Sequence, residues 1–335
     1  MKILIIGGSR FVGKHLVDAA LAHGHDVTTF NRGKSEATPP AGVEALRGDR
    51  DGQLDALKGR TWDAVFDTCG FVPRVVKQSA ELLKDAVGQY VFISSLSVYS
   101  GFEPDSDETA ALETVEDKAS EDVAAHYGAL KALCEQTIEA EFPGRSAHLR
   151  AGLIIGPNDY ANRFPYWMKR LPQGGEVLAP GKPEALVQVI DSRDIAEWGM
   201  HLVENNINGV FNTTGPEQPI PAGRLLATLV NTLNANVQLT WVSDEFLIEE
   251  QLAPLDGIPF WLPAEYDGFF QRNIDRALAA GLKFRPLAET AADTAQWLKS
   301  KPEPKASSSG IKIESGLTPE QEAELLAKWR SRAGS

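Results

Sequence analysis

Tyr127 and Lys131, in the run Tyr127-Gly-Ala-Leu-Lys131, carry the first chemistry legible in this sequence. On a helix, a four-residue spacing sets phenol and ammonium on one face. A free tyrosine has a pKa of about 10, too high for efficient proton exchange near neutrality. A neighbouring Lys⁺ favours the phenolate and lowers that value. Such a tyrosine can hand a proton to a carbonyl oxygen, or take one from an alcohol, while hydride moves to or from the adjoining carbon. Upstream stands the run Ser94-Ser95-Leu96-Ser97-Val98-Tyr99. A hydroxyl there, at the end of a strand, would hydrogen-bond the reacting oxygen beside the tyrosine. Taken singly these features are weak, because Tyr-x-x-x-Lys arises by chance and strand-end serines commonly form turns or caps. Their order along the chain gives them weight.

That order comes from the elements that must position them. Short apolar runs rich in Val, Ile and Phe recur at 2–6, 26–30, 64–67, 90–94 and 148–155, and helical spacing fills most of the intervals. Leu16, Val17, Ala20 and Leu21 share one face of the first helix; Val75, Val76, Leu82 and Leu83 mark a later one. Continuous apolar strands alternating with helices predict an α/β fold, a doubly wound parallel sheet of the Rossmann kind. Its ligand belongs at the carboxyl ends of the strands. The helix bearing Tyr127 spans about 122–141 and follows the serine-ended strand. The dinucleotide-binding part comprises 1–156 and 187–215. A second, smaller C-terminal substrate domain comprises 157–186 and 216–300. Residues 301–317 read as a linker. Within 318–335, Thr318-Pro-Glu-Gln321 has the chemistry of a helix start, with Leu325, Leu326 and Trp329 as an apolar stripe expected to dock on its own subunit, with a partner contact as the alternative.

The first strand runs directly into Gly7-Gly8-Ser9-Arg10-Phe11-Val12-Gly13 and then a helix. Glycines there let the backbone turn tightly and let a diphosphate approach without a Cβ in the way, while the helix N-terminus offers N–H groups and partial positive charge. Gly13 permits close helix–sheet packing. Arg10 stands where a middle glycine is expected and could grip a phosphate oxygen. After the second strand come Asn31, Arg32, Lys34 and Ser35, with none of the acids that read the ribose 2′-hydroxyl of NAD. An Arg accommodates the 2′-phosphate, so NADP is expected, with NAD as the alternative. Arg32 and Lys34 could equally be a solvated loop. Asp49, after the third strand, could contact the adenine edge or simply form a turn.

Together these residues resemble an extended short-chain dehydrogenase/reductase of the NAD-dependent epimerase/dehydratase family, over most of 1–215. The run 92–99 resembles that family's strand-end serine motif, and alignment on Val98-Tyr99 makes Ser95 the catalytic hydroxyl. Tyr127 and Lys131 match its Tyr–Lys pair, and the resemblance implies that Lys131 also holds the nicotinamide ribose. Leu149-Arg150 and Gly156-Pro157 resemble the segment entering the substrate site. The turn with Arg10 is similar to an atypical branch that includes chloroplast stem-loop RNA-binding proteins. The resemblance further implies a homodimer built on the catalytic helix, although some relatives are monomeric. Where dehydratases carry an Asp-Glu pair, this chain has Leu96 and Ser97. Leu153 and Ile154 occupy the stretch of an epimerase Asn, and Val187 with Gln188 that of its diphosphate-binding Arg. A buried substrate diphosphate without those partners would be costly, so nucleotide sugars are demoted.

The second domain offers aromatics instead: Phe164, Tyr166, Trp167, Trp241, Phe260, Trp261, Tyr266, Phe269 and Phe270. Their density points to an apolar small-molecule pocket, oriented by polar groups among Asn158, Asp159 and Arg163, with Trp167 as an aromatic wall. No metal chemistry is expected. His23-Gly-His25 reads as surface loop, since no carboxylate or Cys stands at ligand spacing. His126 reads as an exposed helix residue and Cys134 as packing. The net charge of −13 disfavours nucleic acid as a partner. Two cysteines, no signal-peptide pattern and no apolar run of roughly 18 residues predict a cytoplasmic, membrane-free protein. The sequence thus predicts an NAD(P)(H)-dependent oxidoreductase acting on an apolar carbonyl or alcohol. A sugar-nucleotide epimerase is the alternative, and an RNA-binding protein on a dinucleotide fold is a second.

Overall fold

The computed structural model describes residues 1–34, 39–300 and 315–333. Strands β1 (Lys2–Ile6), β2 (Asp26–Asn31), β3 (Val43–Arg47), β4 (Trp62–Asp67), β5 (Val87–Ser95) and β6 (Ser146–Ala151) alternate with helices α1 (Phe11–Ala22), α2 (Pro73–Leu83) and α3 (Val123–Glu141). There follow β7 (Leu153–Ile155), α4 (Arg163–Arg170), β8 (Gly175–Pro180), β9 (Leu186–Val187), β10 (Val189–Asp191), α5 (Ser192–Glu204) and β11 (Gly209–Thr213). The chain continues through β12 (Ile220–Pro221), α6 (Ala222–Thr232), β13 (Val237–Val242), α7 (Asp244–Glu249), α8 (Asp275–Ala279), α9 (Leu287–Ser300) and α10 (Pro319–Ala333).

Seven strands form one parallel sheet in the order β11-β6-β5-β4-β1-β2-β3. Side chains alternate across it, as a two-residue period requires. Ile3 and Ile5 pack with Leu16, Val17, Ala20, Ile195 and Trp198 under α1 and α5. Leu4 and Ile6 pack on the other side with Val76, Leu83, Cys134 and Ile138 under α2 and α3. Burial on both faces is why these strands read as unbroken apolar runs. The chain leaves β1 toward β2 and β3, then returns to build β4, β5 and β6 on the opposite edge. The strand ends flanking this reversal, Ile6 and Asp67, therefore open a crevice.

One expected strand and one later extended run are each broken. Residues 148–155 divide at Gly152, where a Cβ would run into the Thr214 side chain. β6 stays in the sheet, while β7 leaves it to pair with β10. Residues 185–190 divide at Gln188, whose amide holds both the N–H and the C=O of Arg272 at 2.9 and 3.0 Å. Gln188 is therefore a buried clamp on its own chain. A separate core gathers Phe164, Trp167, Val177, Leu225, Phe246, Phe260, Trp261, Phe270, Leu325 and Leu326. α10 completes it. Thr318 and Gln321 exchange reciprocal capping bonds of 3.2 and 2.9 Å at its start, Trp329 packs on Phe246, and Arg170 pairs with Glu322. Of the expected linker, residues 301–314 lie outside the described residues. No helix among the described residues is long and apolar enough to cross a membrane.

Candidate active site

A cleft of about 1040 Å³ lies along the carboxyl ends of the strands, on both sides of the reversal. Its inner end is the glycine turn. Gly7 and Gly8 adopt φ of +111° and +81°, which side-chain-bearing residues rarely reach. A Cβ on Gly13 would come within 2.7 Å of the Gly8 nitrogen, so the turn and α1 can approach only because residue 13 has no side chain. Arg10 caps α1 with no side-chain hydrogen bond, leaving first-turn N–H groups facing the cleft. These features fit the diphosphate of a dinucleotide.

Around this turn the expected cofactor residues divide. Gly7, Gly8, Ser9, Arg10, Phe11, Val12 and Gly13 all line the cleft, with Asn31, Arg32, Lys34 and Asp49 beyond them. Ser35 lies outside the described residues. Asn31 is committed to its own chain: its Nδ2 donates to Gly7 O, and its Oδ1 accepts from Gly33 N and Arg47. Arg32 stays largely in solvent, 4.0 Å from Asp49. Asp49 also accepts from Asp51 N, the turn-forming role its position allowed. Arg10 extends over the ring of Tyr160, which also packs edge-on against Phe11.

The residues expected to be catalytic meet further along. Ser95 ends β5, and Ser97 N donates to its Oγ at 3.1 Å, fixing the hydroxyl at the cleft floor. Tyr127, on α3, lines the same cleft beside Ser95. What brings them together is Gly128. A Cβ there would overlap the Ser97 carbonyl oxygen, so only glycine lets α3 close on the 3₁₀ turn Leu96–Val98. Lys131 lies one turn on, buried, with Nζ donating to Ile93 O at 2.7 Å and Gly70 O at 2.9 Å. The ring of Phe92 lies 3.9 Å from the same nitrogen.

The electrostatics differ from the expectation that Lys131 depresses Tyr127. Burial pushes the Tyr127 phenol up, against the opposing Ser95 hydrogen bond. Burial also lowers Lys131, to about 8. The Lys131 ammonium is engaged by the Ile93 and Gly70 carbonyls. Tyr127 is thus kept a neutral proton donor.

On the substrate side the expectations fare unevenly. Arg163 lines the cleft and pairs with Asp256 at 3.0 Å, and Asp159 lines it while capping the loop before α4. Asn158 does not line it; its Nδ2 lies 3.4 Å from His15. Trp167 is fully buried, donating to Pro259 O, so it is core and not wall. Most of the other aromatics share that fate, and of them only Phe269 reaches the cleft. Arg150 is likewise buried in a bidentate pair with Glu135, hydrogen-bonded to Tyr99. The apolar wall comes instead from residues the sequence did not flag: Phe71, Val72, Leu153, Ile154, Tyr160 and Leu255. Phe71 and Val72 carried a signal, since they follow the carboxyl end of β4. Asp256 is also a hub. It accepts from Ser315 Oγ, its carbonyl accepts from Gly316 N, and Asn162 Nδ2 donates to Ser315 O.

A parallel sheet with a glycine cradle at its reversal and a Ser–Tyr–Lys set beside it defines a dinucleotide-binding protein of the extended short-chain dehydrogenase/reductase type. The chain belongs to the NAD dependent epimerase/dehydratase family, whose sequence profile matches residues 3–214. It is 27% identical over 232 residues to chloroplast stem-loop binding protein of 41 kDa b from Arabidopsis thaliana, covering 64% of this chain and 58% of that one. It is 28% identical over 218 residues to 2-alkyl-3-oxoalkanoate reductase from Stenotrophomonas maltophilia, covering 59% and 64%. The matched region is therefore less than two thirds of either relative. Among solved structures, UDP-glucuronic acid 4-epimerase from Bacillus cereus in complex with NAD superposes with a TM-score of 0.67 at 17% identity, over 92% of this chain and 99% of that one. UDP-N-acetylglucosamine 4-epimerase from Methanobrevibacter ruminantium M1, in complex with UDP-N-acetylmuramic acid, gives 0.66 at 19%, over 89% and 98%. At such identities the likeness is one of fold.

Proposed function

We propose that the protein is an NADP(H)-dependent oxidoreductase that interconverts a carbonyl and an alcohol on an apolar small molecule. The observation that carries this reading is the placement of Ser95, Tyr127 and Lys131 together in a cleft whose outer wall is apolar. When bound, the nicotinamide supplies or accepts the hydride. Ser95 orients the substrate oxygen, and Tyr127, held protonated by burial, delivers its proton there. Lys131 spends two of its three donors on Ile93 and Gly70 carbonyls, which leaves one for a ribose hydroxyl. Arg163 gives the wall a cation, already balanced by Asp256.

NADP over NAD rests on the loop after β2, which offers exposed Arg32 and Lys34 and, among its described residues, no acid. Arg32→Ala is expected to weaken NADPH roughly tenfold or more in a fluorescence titration and to leave NADH nearly unchanged. Equal weakening of the two would remove Arg32 from any contact with the 2′-phosphate.

The pH profile is a second check. With Lys131 near 8, carbonyl reduction should hold a plateau below that pH and decline above it, as the ammonium loses its charge. Tyr127, shifted upward, remains protonated across the same range. Turnover that stays flat to about pH 9.5 would show that the Lys131 charge is not needed.

A sugar-nucleotide epimerase is the second reading, favoured by likeness over nearly the whole chain to UDP-sugar epimerases. Against it stand Val187 and Gln188, which bring no cation to a substrate diphosphate. Tightly retained NAD in purified protein would favour it over an exchanging reductase. RNA binding, suggested by the name of the plant relative, is opposed by the net charge of −13.

A further inference from the structure

We propose that His23, His25 and Glu204 form a binding site for a divalent cation of the zinc class, at the far end of α1 from the glycine cradle. His23 caps the C-terminus of α1, His25 immediately precedes β2, and Glu204 is the last residue of α5. Read along the sequence, the two histidines have no carboxylate at ligand spacing. The fold supplies it from 181 residues downstream.

One ligand atom from each of the three lies within 4.8 Å of the others. Glu204 Oε1 is 2.8 Å from His23 Nδ1 and 3.0 Å from His25 Nε2. A tetrahedral zinc, with ligands about 2.0–2.1 Å away, sets its ligand atoms roughly 3.4 Å apart. Both Glu204 distances therefore need to open by only a few tenths of an ångström. The His25 side chain is 8% exposed. Its Nε2 is buried and, although close to Glu204, makes no hydrogen bond of acceptable direction. A buried imidazole nitrogen held against a carboxylate outside hydrogen-bonding direction is what a cation between them would relieve.

The surroundings also fit. His23 turns its other nitrogen, Nε2, to Glu197 at 3.0 Å. A carboxylate behind a ligating imidazole fixes its tautomer and orientation. The side chains of His23 and Glu204 are about one-third exposed, so water can complete the coordination. Two imidazoles with one carboxylate suit Zn²⁺, whereas Mg²⁺ and Ca²⁺ favour all-oxygen sets. None of these residues touches the cleft. A bound ion would staple α1 to α5 across one face of the sheet.

The test is calorimetric titration of the full chain, without a polyhistidine tag, with ZnCl₂ and separately with MgCl₂. The expected result is a single zinc site of micromolar affinity and no magnesium binding. His25→Ala should abolish it, and Glu197→Gln should weaken it roughly tenfold or more. If His25→Ala does not fold by circular dichroism, Glu204→Gln, at a part-exposed carboxylate, carries the same test. Zinc bound equally well by the wild type and Glu204→Gln, or not bound by the wild type, overturns the proposal.

Discussion

Tyr127→Phe is expected to lower turnover by roughly two to four orders of magnitude and to leave the NADPH titration unchanged. The substitution removes the phenolic O–H and keeps the ring, so the aromatic contact with Phe71 at 6.5 Å persists and the cleft retains its shape. The glycine cradle lies on another strand and does not touch the lost oxygen. What disappears is the phenolic proton donor that lines the cleft beside Ser95. Carbonyl reduction followed by NADPH consumption, against a panel of apolar ketones, reads the effect directly. An unchanged rate would take Tyr127 out of the chemistry, and a parallel loss of cofactor binding would make its role structural.

Gly128→Ala should be nearly as damaging, by a different route. The added Cβ would overlap the Ser97 carbonyl, a backbone atom that cannot swing aside as a side chain can. α3 must therefore shift, and Tyr127 is its adjacent residue. Displacing a catalytic group by about 1 Å can cost on the order of 100-fold in rate. Overpacking of this kind costs about 1–3 kcal/mol in stability. Thermal melts and turnover measured on the same preparation separate the two effects. A protein with wild-type melting temperature and wild-type rate would show that the close approach of α3 to Ser97 is not required.

The sheet was legible because its strands are buried on both faces and so appear as apolar runs that no surface strand would tolerate. The glycine turn was legible because its requirement is local: positive φ and a missing Cβ are written into residue type. The Ser95–Tyr127–Lys131 set emerged from order along the chain, although its electrostatics did not. Where a lysine points depends on which carbonyls surround it, and those come from β5 and the loop after β4. The substrate wall was least legible. Trp167 and Phe260 look the same in sequence whether they fill a core or line a pocket, and here they stack on each other at 6.4 Å inside the second core. Residues 148–155 gave one apolar run because a strand that leaves its sheet for another remains buried. Only the conflict between Gly152 and Thr214 marks the break.

The bonds that Asp256 makes have a consequence for how this chain can change over time. Arg163 faces the cleft, yet its counter-charge is anchored by Ser315 and Gly316, at the threshold of α10. The cleft wall at Arg163 is thus held partly from the start of α10, through contacts that never reach the glycine cradle. Changes at Ser315 or Gly316 would therefore be felt at one wall of the cleft while the glycine turn at its other end stays as it was. The two ends can accordingly vary independently.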